Sequence, residues 1–300
     1  MTSTEHPLVF VGAATQDTIA LVERFPAPDE RVLAADLVRA GGGPAATAAV
    51  AAARLGHRVA FVGTVGADDE GAEILNGLTA EGIDVSGVDV ERGARSAASL
   101  VIVDAAESTR AIVNRPPPEI RLSVRADELL AAAEWVHVDQ AGWRPTHAWW
   151  AGRTERPRFS IDAGNPIPGF SPAGLDLYVP TIGALRRRYG RPERSELLAA
   201  ALDEGAELVV ATDGPHGSFA LGVEQPLVSA PAHPGAVLST LGAGDVFHGA
   251  LLAAIQHGLP IETCLRYANL AAFRSCQGLD GRSAIPTHAE VVAALGAAST

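Results

Sequence analysis

Short apolar segments of strand length alternate with helical segments along most of this 300-residue chain. Continuous apolar runs of this length are typical of strands that are buried on both faces. Their alternation with helices predicts an α/β fold with a mostly parallel central sheet and helices on both faces. The predicted parallel strands span residues 8–11, 59–62, 135–139, 159–162, 177–180 and 207–211.

The carboxyl ends of these strands indicate where a ligand binds, because open α/β sheets bind ligands in the crevice outside those ends. The residues that end or directly follow predicted strands there are Gly12, Asp139, Asp162 and Thr212. Asp17 follows Gly12 by five residues, so its carboxylate can face the same ligand. Segments 218–221 and 225–229 predict an antiparallel edge to this sheet.

One glycine turn leads directly into an apolar helix. Gly242, Ala243 and Gly244 are followed by Asp245 and then by an Ala-rich run to about Ile255. Backbone N–H groups at a helix N-terminus have no intrahelical partner, and small residues there let a phosphate approach them. A carboxylate beside such a phosphate is placed to take a proton from an attacking hydroxyl. An Asp that only favours the positive end of a helix would give the same pattern, so this stretch alone does not decide.

A run of three glycines, residues 41–43, precedes a second Ala-rich helix, predicted over residues 45–55. Pro44 suits the first helical position and Gly56 suits the C-terminal stop. The glycines allow close backbone approach to a ligand, although a flexible loop before a tightly packed helix has the same composition. Neither glycine stretch has the order GxxxxGK[ST] or GxGxxG, which argues against a P-loop and a dinucleotide-binding site.

Two further pairs of strand-like segments interrupt the alternation. The first pair is 18–22 and 32–38, and the second is a hairpin of 97–103 and 111–113. We expect these pieces to form a small sheet apart from the main one and to cover the ligand site as a lid. The chain is then a single domain, residues 1–300, whose lid comprises roughly 18–40 and 97–114.

Composition argues against several classes of function. A net charge of −12 disfavours binding to nucleic acid or to an anionic membrane surface. Cys264 and Cys276 are the only cysteines and the nine histidines have no zinc spacing, so no protein-held metal site is predicted. No secretory signal pattern and no apolar run of membrane-spanning length is present. We therefore expect a cytoplasmic globular protein.

With both glycine stretches placed, the chain resembles the ribokinase-like (PfkB) carbohydrate kinases from residue 8 to about residue 286. The early signature is GGPAATAA at 42–49, and the late signature is GAGDVFHGA at 242–250, about 200 residues further on. The resemblance implies a ribokinase-like fold, ATP and Mg²⁺ as cofactors, and transfer of the γ-phosphoryl of ATP to a primary hydroxyl of a sugar. It also implies a homodimer, because lids in this family often clasp a second subunit.

The resemblance assigns roles to individual residues. Asp245 is implied to be the general base, and the backbone N–H groups of Gly242, Ala243 and Gly244 are implied to form the anion hole. The residues implied to bind the sugar are Asp17, Arg31, Gly42, Gly43, Thr47 and Asn114. The residues implied to bind the nucleotide are Thr212, Gly214, Gly217, Thr240, Asn269 and Ser275, with Asn269 and the loop near Ser275 beside adenine.

Within the family, GGGPAATAAVAAARLG and GAGDVFHGAL look most like the 6-deoxy-6-sulfofructose kinases, which phosphorylate the C1 hydroxyl of a sulfonated ketose. That group shares Thr47, where most of the family has Asn. Arg31 and Asn114 would suit a sulfonate, but the Arg expected just after Asp139 is displaced to Arg144. Another sugar or sugar acid, such as fructose, ribose or 2-keto-3-deoxygluconate, therefore stays open.

Two departures from the family pattern affect cations. Ser239 replaces an Asp that helps to hold a monovalent cation in many members, so we expect weak or absent potassium activation. Thr181 and Ala184 stand where the family has an Asn-x-x-Glu motif that organises magnesium and its waters, so we expect weaker magnesium handling. These losses leave open a catalytically reduced sugar-binding sensor, although Asp245 and the complete glycine turn favour a kinase.

Overall fold

A computed structural model describes residues 7–107 and 109–297 of the chain. Fourteen strands and nine α-helices lie within these ranges. The strands are β1 (Leu8–Val11), β2 (Thr15–Val22), β3 (Ala34–Gly42), β4 (Val59–Val62), β5 (Thr64–Gly66), β6 (Asp89–Glu91), β7 (Ala98–Asp104), β8 (Thr109–Arg115), β9 (Trp135–Val138), β10 (Arg158–Asp162), β11 (Leu177–Val179), β12 (Leu208–Thr212), β13 (Ser218–Gly222) and β14 (Val228–Ala230). The helices are α1 (Pro44–Arg54), α2 (Asp69–Ala80), α3 (Val124–Ala132), α4 (Trp143–Ala151), α5 (Ile182–Tyr189), α6 (Arg194–Asp203), α7 (Ala243–Gln256), α8 (Ile261–Ser275) and α9 (His288–Ala297).

Eight strands form the main sheet, in the order β14-β13-β12-β11-β10-β9-β1-β4. The six strands from β12 to β4 run parallel to one another. At the other edge, β13 and β14 pair in the antiparallel sense, where the sequence predicts an antiparallel edge. The prediction of a mostly parallel α/β sheet is therefore confirmed.

Helices cover both faces of the main sheet because successive side chains of a strand point to opposite faces. In β1, Leu8 and Phe10 pack into an apolar cluster with α1, α7 and α8. Val9 and Val11 pack instead into a cluster with α3, α4, α5 and α6. All four side chains are buried, which is why the strand is a continuous apolar run.

A separate sheet, here called the small sheet, contains β3, β2, β7 and β8 in that order. Its central pair, β2 and β7, is parallel, and its outer pairs are antiparallel. One face packs its buried residues Ile19, Val101 and Val103 against Leu279, with Leu241 beside them. The small sheet is therefore seated next to the glycine turn at 242–244, where the sequence predicts a lid.

Three helices lie outside the elements that the sequence predicts: α4, α8 and α9. The sequence of α4, WRPTHAWWA, looks unfavourable for a helix because it contains a proline. Pro145 is nevertheless in the first turn, where a missing N–H group leaves no hydrogen bond unmade. In the part of the chain that the structure describes, no helix is long and apolar enough to cross a membrane.

The two Ala-rich helices that follow the glycine stretches, α1 and α7, pack directly on each other. Ala45 to Ala52 are all buried in α1, and most of α7 is buried as well. At Gly249 of α7 the backbones approach so closely that an added Cβ would lie 2.1 Å from the Ala48 carbonyl oxygen. This contact fixes the position of both helix N-termini, and hence of both glycine stretches, relative to each other.

We predict that Gly249→Ala destabilises the protein, because its methyl group would overlap backbone that cannot move without displacing α1. The expected loss in the free energy of unfolding is about 1–3 kcal/mol, as for other overpacked cores. Urea denaturation followed by circular dichroism measures this change.

The matched control is Gly77→Ala in α2, where an added Cβ meets no atom within 4 Å. This exchange should stabilise the protein by about 0.5–1 kcal/mol, because alanine favours an exposed helix interior over glycine. Equal effects of the two substitutions would contradict the close packing of α1 on α7.

Candidate active site

The predicted strand-end residues meet at one edge of the main sheet. Gly12, Asp139, Asp162 and Thr212 all end or follow parallel strands, and the N-terminus of α7 faces the same edge. Asp139, Asp162 and Asp245 lie close enough to influence one another's pKa. The site is therefore a crevice at the carboxyl ends of the strands, as expected for this sheet type.

The Asp139 carboxylate ties together three segments of this edge. It accepts hydrogen bonds from the backbone N–H groups of Ala13 at 2.7 Å and of Ala45 at 3.3 Å. It also accepts from the N–H groups of Ala141 and Gly142, at 2.8 and 3.0 Å. Burial and the nearby Asp162 raise the pKa of Asp139, whereas these N–H groups oppose that rise. Asp139 is thus a structural residue that joins the end of β1 to the start of α1.

The glycine turn has the geometry of an anion-binding helix N-terminus. Gly242 adopts a left-handed conformation with φ of 72°, and an added Cβ there would lie 2.9 Å from the Cα of Gly281. An added Cβ at Gly244 would meet nothing within 4 Å, so the space over this residue is open. Ala243 N–H donates to the Thr240 carbonyl at 3.3 Å, which makes it the least available of the three donors. The turn therefore offers room and N–H groups for a phosphate.

Asp245 lies in the first turn of α7 and is partly buried beside two other acids. Burial, together with the charges of Asp162 and Asp139, raises the pKa of Asp245 to about 7. The positive charges of His248 and Arg110 oppose this shift. A carboxylate with a pKa near the working pH is well matched to accept a proton from a hydroxyl and release it afterwards.

Asp17 begins a polar row across the small sheet. The strand register places Asp17 beside Ser99 and Ser99 beside Asn114, so the three side chains share one face. Thr15 Oγ1 donates to Asp17 Oδ1 at 2.7 Å, and Ser99 is also a hydrogen-bond partner. Burial raises the pKa of Asp17 despite these contacts and the charge of Arg282. The row has the acceptors and donors that sugar hydroxyls require.

The backbone of Gly42 and Gly43 packs against this row. An added Cβ at Gly42 would lie 2.0 Å from Asp17 Oδ2, and Gly43 has φ of 92°. Arg282 fixes the loop from the other side: its guanidinium donates to the Gly42 carbonyl at 2.7 Å and to Thr47 Oγ1 at 3.1 Å. Thr47 is buried and thus supports the loop through Arg282.

The predicted nucleotide residues lie around the end of β12. Thr212 ends that strand, and Gly214 and Gly217 have positive φ of 52° and 86° in the turn that follows. An added Cβ at Gly217 would lie 2.1 Å from the Ala230 carbonyl oxygen, so only glycine fits. Asn269 Nδ2 donates to the carbonyls of Ala230 and Pro231, at 3.1 and 3.0 Å. Asn269 thereby holds the chain that leaves β14 against α8.

Two predicted nucleotide residues have other roles in the structure. The Ser275 side chain is fully buried at the end of α8 and donates to the Ala272 carbonyl at 2.8 Å. Its hydroxyl therefore serves a helix-end hydrogen bond, and the position of the loop near Ser275 beside adenine stays a prediction. Thr240 Oγ1 accepts a 2.7 Å hydrogen bond from Arg110 on β8, so it joins the small sheet to the glycine turn.

The structure does not bring Arg31, the predicted sulfonate cation, to the polar row. Arg31 is exposed in the turn between β2 and β3, beyond the Val22–Ala34 pair and hence about 17 Å along the strand from Asp17. Arg115 Nε donates to the Ser96 carbonyl at 2.7 Å, and its guanidinium lies 3.5 Å from Glu70. Arg115 is therefore a structural residue, and Arg144 is exposed at the start of α4.

The residues that depart from the family's cation motifs, Thr181 and Ser239, have local structural roles. Thr181 Oγ1 accepts from the Ala184 N–H group at 3.0 Å and caps α5. Ser239 Oγ accepts from the Leu241 N–H group at 3.2 Å and shapes the approach to the glycine turn. Within residues 7–107 and 109–297, no group of three or more His, Cys, Asp or Glu side chains could hold a metal ion.

Four residues of the site were missed by the sequence analysis: Ser99, Arg110, His248 and Arg282. Ser99 and Arg110 become visible only through the register of the small sheet. His248 follows Asp245 by three residues, a helical spacing that places the two side chains on one face. Arg282 lies 235 residues from Thr47, and no local pattern in the sequence connects them.

These elements define a class of enzyme. A helix N-terminus open to an anion, a carboxylate with a raised pKa in its first turn, and a polar row that begins at the buried Asp17 are the parts expected of a phosphotransferase with an alcohol group as acceptor.

Comparison with known proteins identifies the family. Residues 5–145 and 172–288 match the pfkB family carbohydrate kinases. Ribokinase from Bacillus subtilis is 26% identical over 298 residues, which cover 94% of this chain and 96% of that protein. Acarbose 7(IV)-phosphotransferase from an Actinoplanes species is 30% identical over 287 residues, covering 91% and 93%. The structure of Arabidopsis thaliana ribokinase complexed with ribose and ATP has a TM-score of 0.83 at 26% identity, covering 97% of this chain and 99% of that one. The chain belongs to the pfkB family of carbohydrate kinases and is an ATP-dependent sugar kinase with a ribokinase-like fold.

We predict that Asp245→Asn lowers kcat by orders of magnitude and leaves nucleotide binding intact. The amide keeps the size of the side chain but cannot accept the hydroxyl proton. Steady-state kinetics measures kcat, and calorimetry measures nucleotide affinity. Asp203→Asn, at an exposed position that ends α6, is the matched control and should leave both unchanged. Near-normal turnover of Asp245→Asn would exclude Asp245 as the base.

We also predict that kcat/KM falls as the pH decreases through about 7, the raised pKa of Asp245. The base must be ionised to accept a proton, so protonation at lower pH removes activity. Steady-state kinetics over a pH series measures where kcat/KM falls on the acidic side of the profile, here called the acidic limb. A profile that stays flat down to about pH 4, the ordinary range of aspartate, would contradict the electrostatic account.

Proposed function

We propose that this kinase transfers the γ-phosphoryl of ATP to a primary hydroxyl of a ketose or related sugar. The observation that carries this proposal is the position of Asp245, in the first turn of the helix that follows the open glycine turn and near enough to Arg282 that this arginine interacts with both Asp245 and Asp17. A hydroxyl bound between them would meet the base and the phosphoryl group at once. The attacking hydroxyl must extend from the bound sugar to Asp245. A primary hydroxyl at the end of a sugar can do this.

In the proposed reaction, N–H groups of the glycine turn hold the oxygens of the γ-phosphoryl and stabilise their charge. Asp245 accepts the hydroxyl proton as the sugar oxygen forms its bond to phosphorus. The bond between that phosphorus and the bridging oxygen breaks, and ADP leaves with the electron pair. Phosphoryl transfer depends mainly on positioning and charge stabilisation, which is what these residues supply.

The residues around the site suit magnesium that arrives with the nucleotide. The absence of a three-residue His, Cys, Asp or Glu cluster in the described ranges means that ATP phosphates and water would provide most ligands. Magnesium would neutralise charge on the phosphates, while the protein's N–H groups orient them. Because Ser239 carries no charge and its hydroxyl is engaged with Leu241, we expect little potassium dependence.

The sugar that we propose to test first is 6-deoxy-6-sulfofructose, phosphorylated at O1. Asp17, Ser99 and Asn114 offer acceptors and donors for its hydroxyls along one face of the small sheet. Its sulfonate would need a cation at the far end of the crevice. Arg31 could serve only if the turn between β2 and β3 bends towards the site, or if another copy of the chain presents it.

We propose that the small sheet acts as a lid. Arg110 of β8 bonds to Thr240 beside the glycine turn, and Leu241 and Leu279 pack under the sheet. These contacts would close the crevice over the sugar and exclude water that could otherwise accept the phosphoryl group.

The other face of the small sheet supports a homodimer. Leu37, Leu100 and Val113 share that face, and their exposed fractions are 65%, 48% and 71%. A flat apolar sheet face of this kind is a recognised signature of a protein interface. We propose that a second copy of the chain covers it, because a lid-to-lid contact leaves both crevices open to substrate.

We predict that an ADP-release assay with Mg-ATP gives turnover with 6-deoxy-6-sulfofructose above that with fructose, ribose, 2-keto-3-deoxygluconate and nucleosides. Replacing potassium by tetramethylammonium should leave the rate essentially unchanged.

Arg31→Ala should raise KM for the sulfonated sugar and not for fructose, whereas Arg92→Ala, at another exposed arginine, should change neither. Equal effects of Arg31→Ala on both sugars would reject the sulfonate, and no turnover with any sugar would reject the kinase proposal in favour of a sensor.

We predict that the purified chain sediments as a dimer and that Leu37→Lys with Val113→Lys converts it to a monomer. Charged side chains would be buried without partners in the interface, which is costly. Leu227→Lys, at an exposed leucine between β13 and β14, is the matched control and should leave the dimer intact. A wild-type chain that is monomeric at micromolar concentration would refute the interface.

A further inference from the structure

A buried ion pair lies beneath the catalytic carboxylate and has no role in the reaction described above. His248, on α7, is 6% exposed, and its Nε2 lies 3.3 Å from Asp162 Oδ1. Asp162 ends β10 and also accepts the Gly164 N–H group at 2.9 Å. The second ring nitrogen of His248, Nδ1, has no hydrogen-bond partner in the described part of the chain.

A histidine buried only for packing would be expected to remain neutral, as His137 does. The His137 ring lies 5.3 Å from the His248 ring, and its Nδ1 pairs with the Ser160 hydroxyl at 3.0 Å. Burial lowers the pKa of His137 to about 3. For His248, burial also opposes the charged form, but Asp162 and Asp245 outweigh it and raise its pKa. The two adjacent histidines differ because His248 contacts Asp162 directly, whereas at His137 burial and the charge of His248 outweigh the more weakly acting Asp162.

The helix geometry directs His248 towards the catalytic base. Helical side chains lean towards the N-terminus and cover the preceding turn, so His248 lies over the turn that contains Asp245. The charged groups that face Asp245 come from four other elements: Asp139 after β9, Asp162 on β10, Arg110 on β8 and Arg282 in the segment after α8. His248 lies on the same helix as Asp245. It is fixed there by its direct contact with Asp162, one of the two acids that raise the pKa of Asp245.

We propose that His248, held in place by Asp162, is a positioning residue that keeps the Asp245 carboxyl ionised and correctly placed for proton transfer. This inference rests on the proposed function of Asp245 as the base. The pair acts as a unit: His248 offsets the negative charge of Asp162, which would otherwise disfavour ionisation of Asp245. Neither residue contacts the reacting atoms.

The test is the pH dependence of kcat/KM in His248→Asn, Asp162→Asn and the double variant. His248→Asn leaves Asp162 uncompensated, so the acidic limb should move to higher pH by on the order of one unit. In the double variant both charges are absent, so the limb should return towards that of the wild type. His147→Asn, on α4 and stacked on Trp143, is the matched control and should not move the limb.

An acidic limb of His248→Asn that coincides with the wild type would overturn the proposal. Equal shifts in His248→Asn and in the double variant would also overturn it, because the charge of Asp162 would then be irrelevant. A loss of turnover in the wild type itself with every sugar would instead count against the proposed function.

A second measurement does not depend on activity. Histidine ring ¹⁵N resonances of the unaltered protein should show a charged imidazole that persists above the ordinary histidine pKa of about 6.5. Asp162→Asn should convert that resonance to a neutral ring, which assigns it to His248. A spectrum in which every ring is neutral at pH values above that range would overturn the ion pair and the proposal with it.

Discussion

Four backbone N–H groups converge on the carboxylate of Asp139, and the geometry of the site depends on this convergence. The contact requires glycine at position 12, because an added Cβ there would lie 2.3 Å from the carboxylate. It joins the end of β1 to the first turn of α1. It thereby fixes the position of Gly42 and Gly43, which precede α1, relative to the main sheet. The close packing of α1 on α7 at Gly249 then transmits this position to the second glycine turn. Two distant glycine stretches are thereby held close together, and an added Cβ at Gly242 would lie 3.5 Å from Thr47 in α1.

The same crevice brings together two acids from strand ends, Asp139 and Asp162, and Asp245 from α7. Asp139 accepts backbone N–H groups and Asp162 faces His248. Burial raises the pKa of Asp245 to about 7, the charges of Asp162 and Asp139 add to this rise, and His248 and Arg110 oppose it. A base is most useful when its pKa lies near the working pH. Arg110 also lowers the pKa of Asp245. It lies on β8 of the small sheet and donates a hydrogen bond to Thr240, next to the glycine turn. Closure of a lid would in this way also adjust the charge around the base.

The fold and the two glycine stretches could be predicted from the sequence because both rest on local patterns. Continuous apolar strands indicate burial on both faces, and glycine followed by an Ala-rich run indicates a helix N-terminus close to a ligand. Arg282 could not be predicted, since its contacts with Gly42 and Thr47 cross more than 230 residues of sequence. The hydrogen bond from the Ser275 hydroxyl to the Ala272 carbonyl could not be predicted either, because a position near the end of a helix does not show which way a side chain turns. Arg31 shows the same limit, since a cation at a hairpin turn has no fixed distance from the strand ends until the register is known.

The central claim is that Asp245 and the glycine turn act together on one hydroxyl and one phosphoryl group. A crystal structure of the chain with a non-hydrolysable ATP analogue and a sugar substrate tests it most directly. The account predicts that the terminal phosphoryl lies over Gly244 and that a primary hydroxyl of the sugar donates a hydrogen bond to Asp245. A terminal phosphoryl bound away from the N-terminus of α7, or a sugar whose primary hydroxyl faces a different acid, would contradict it.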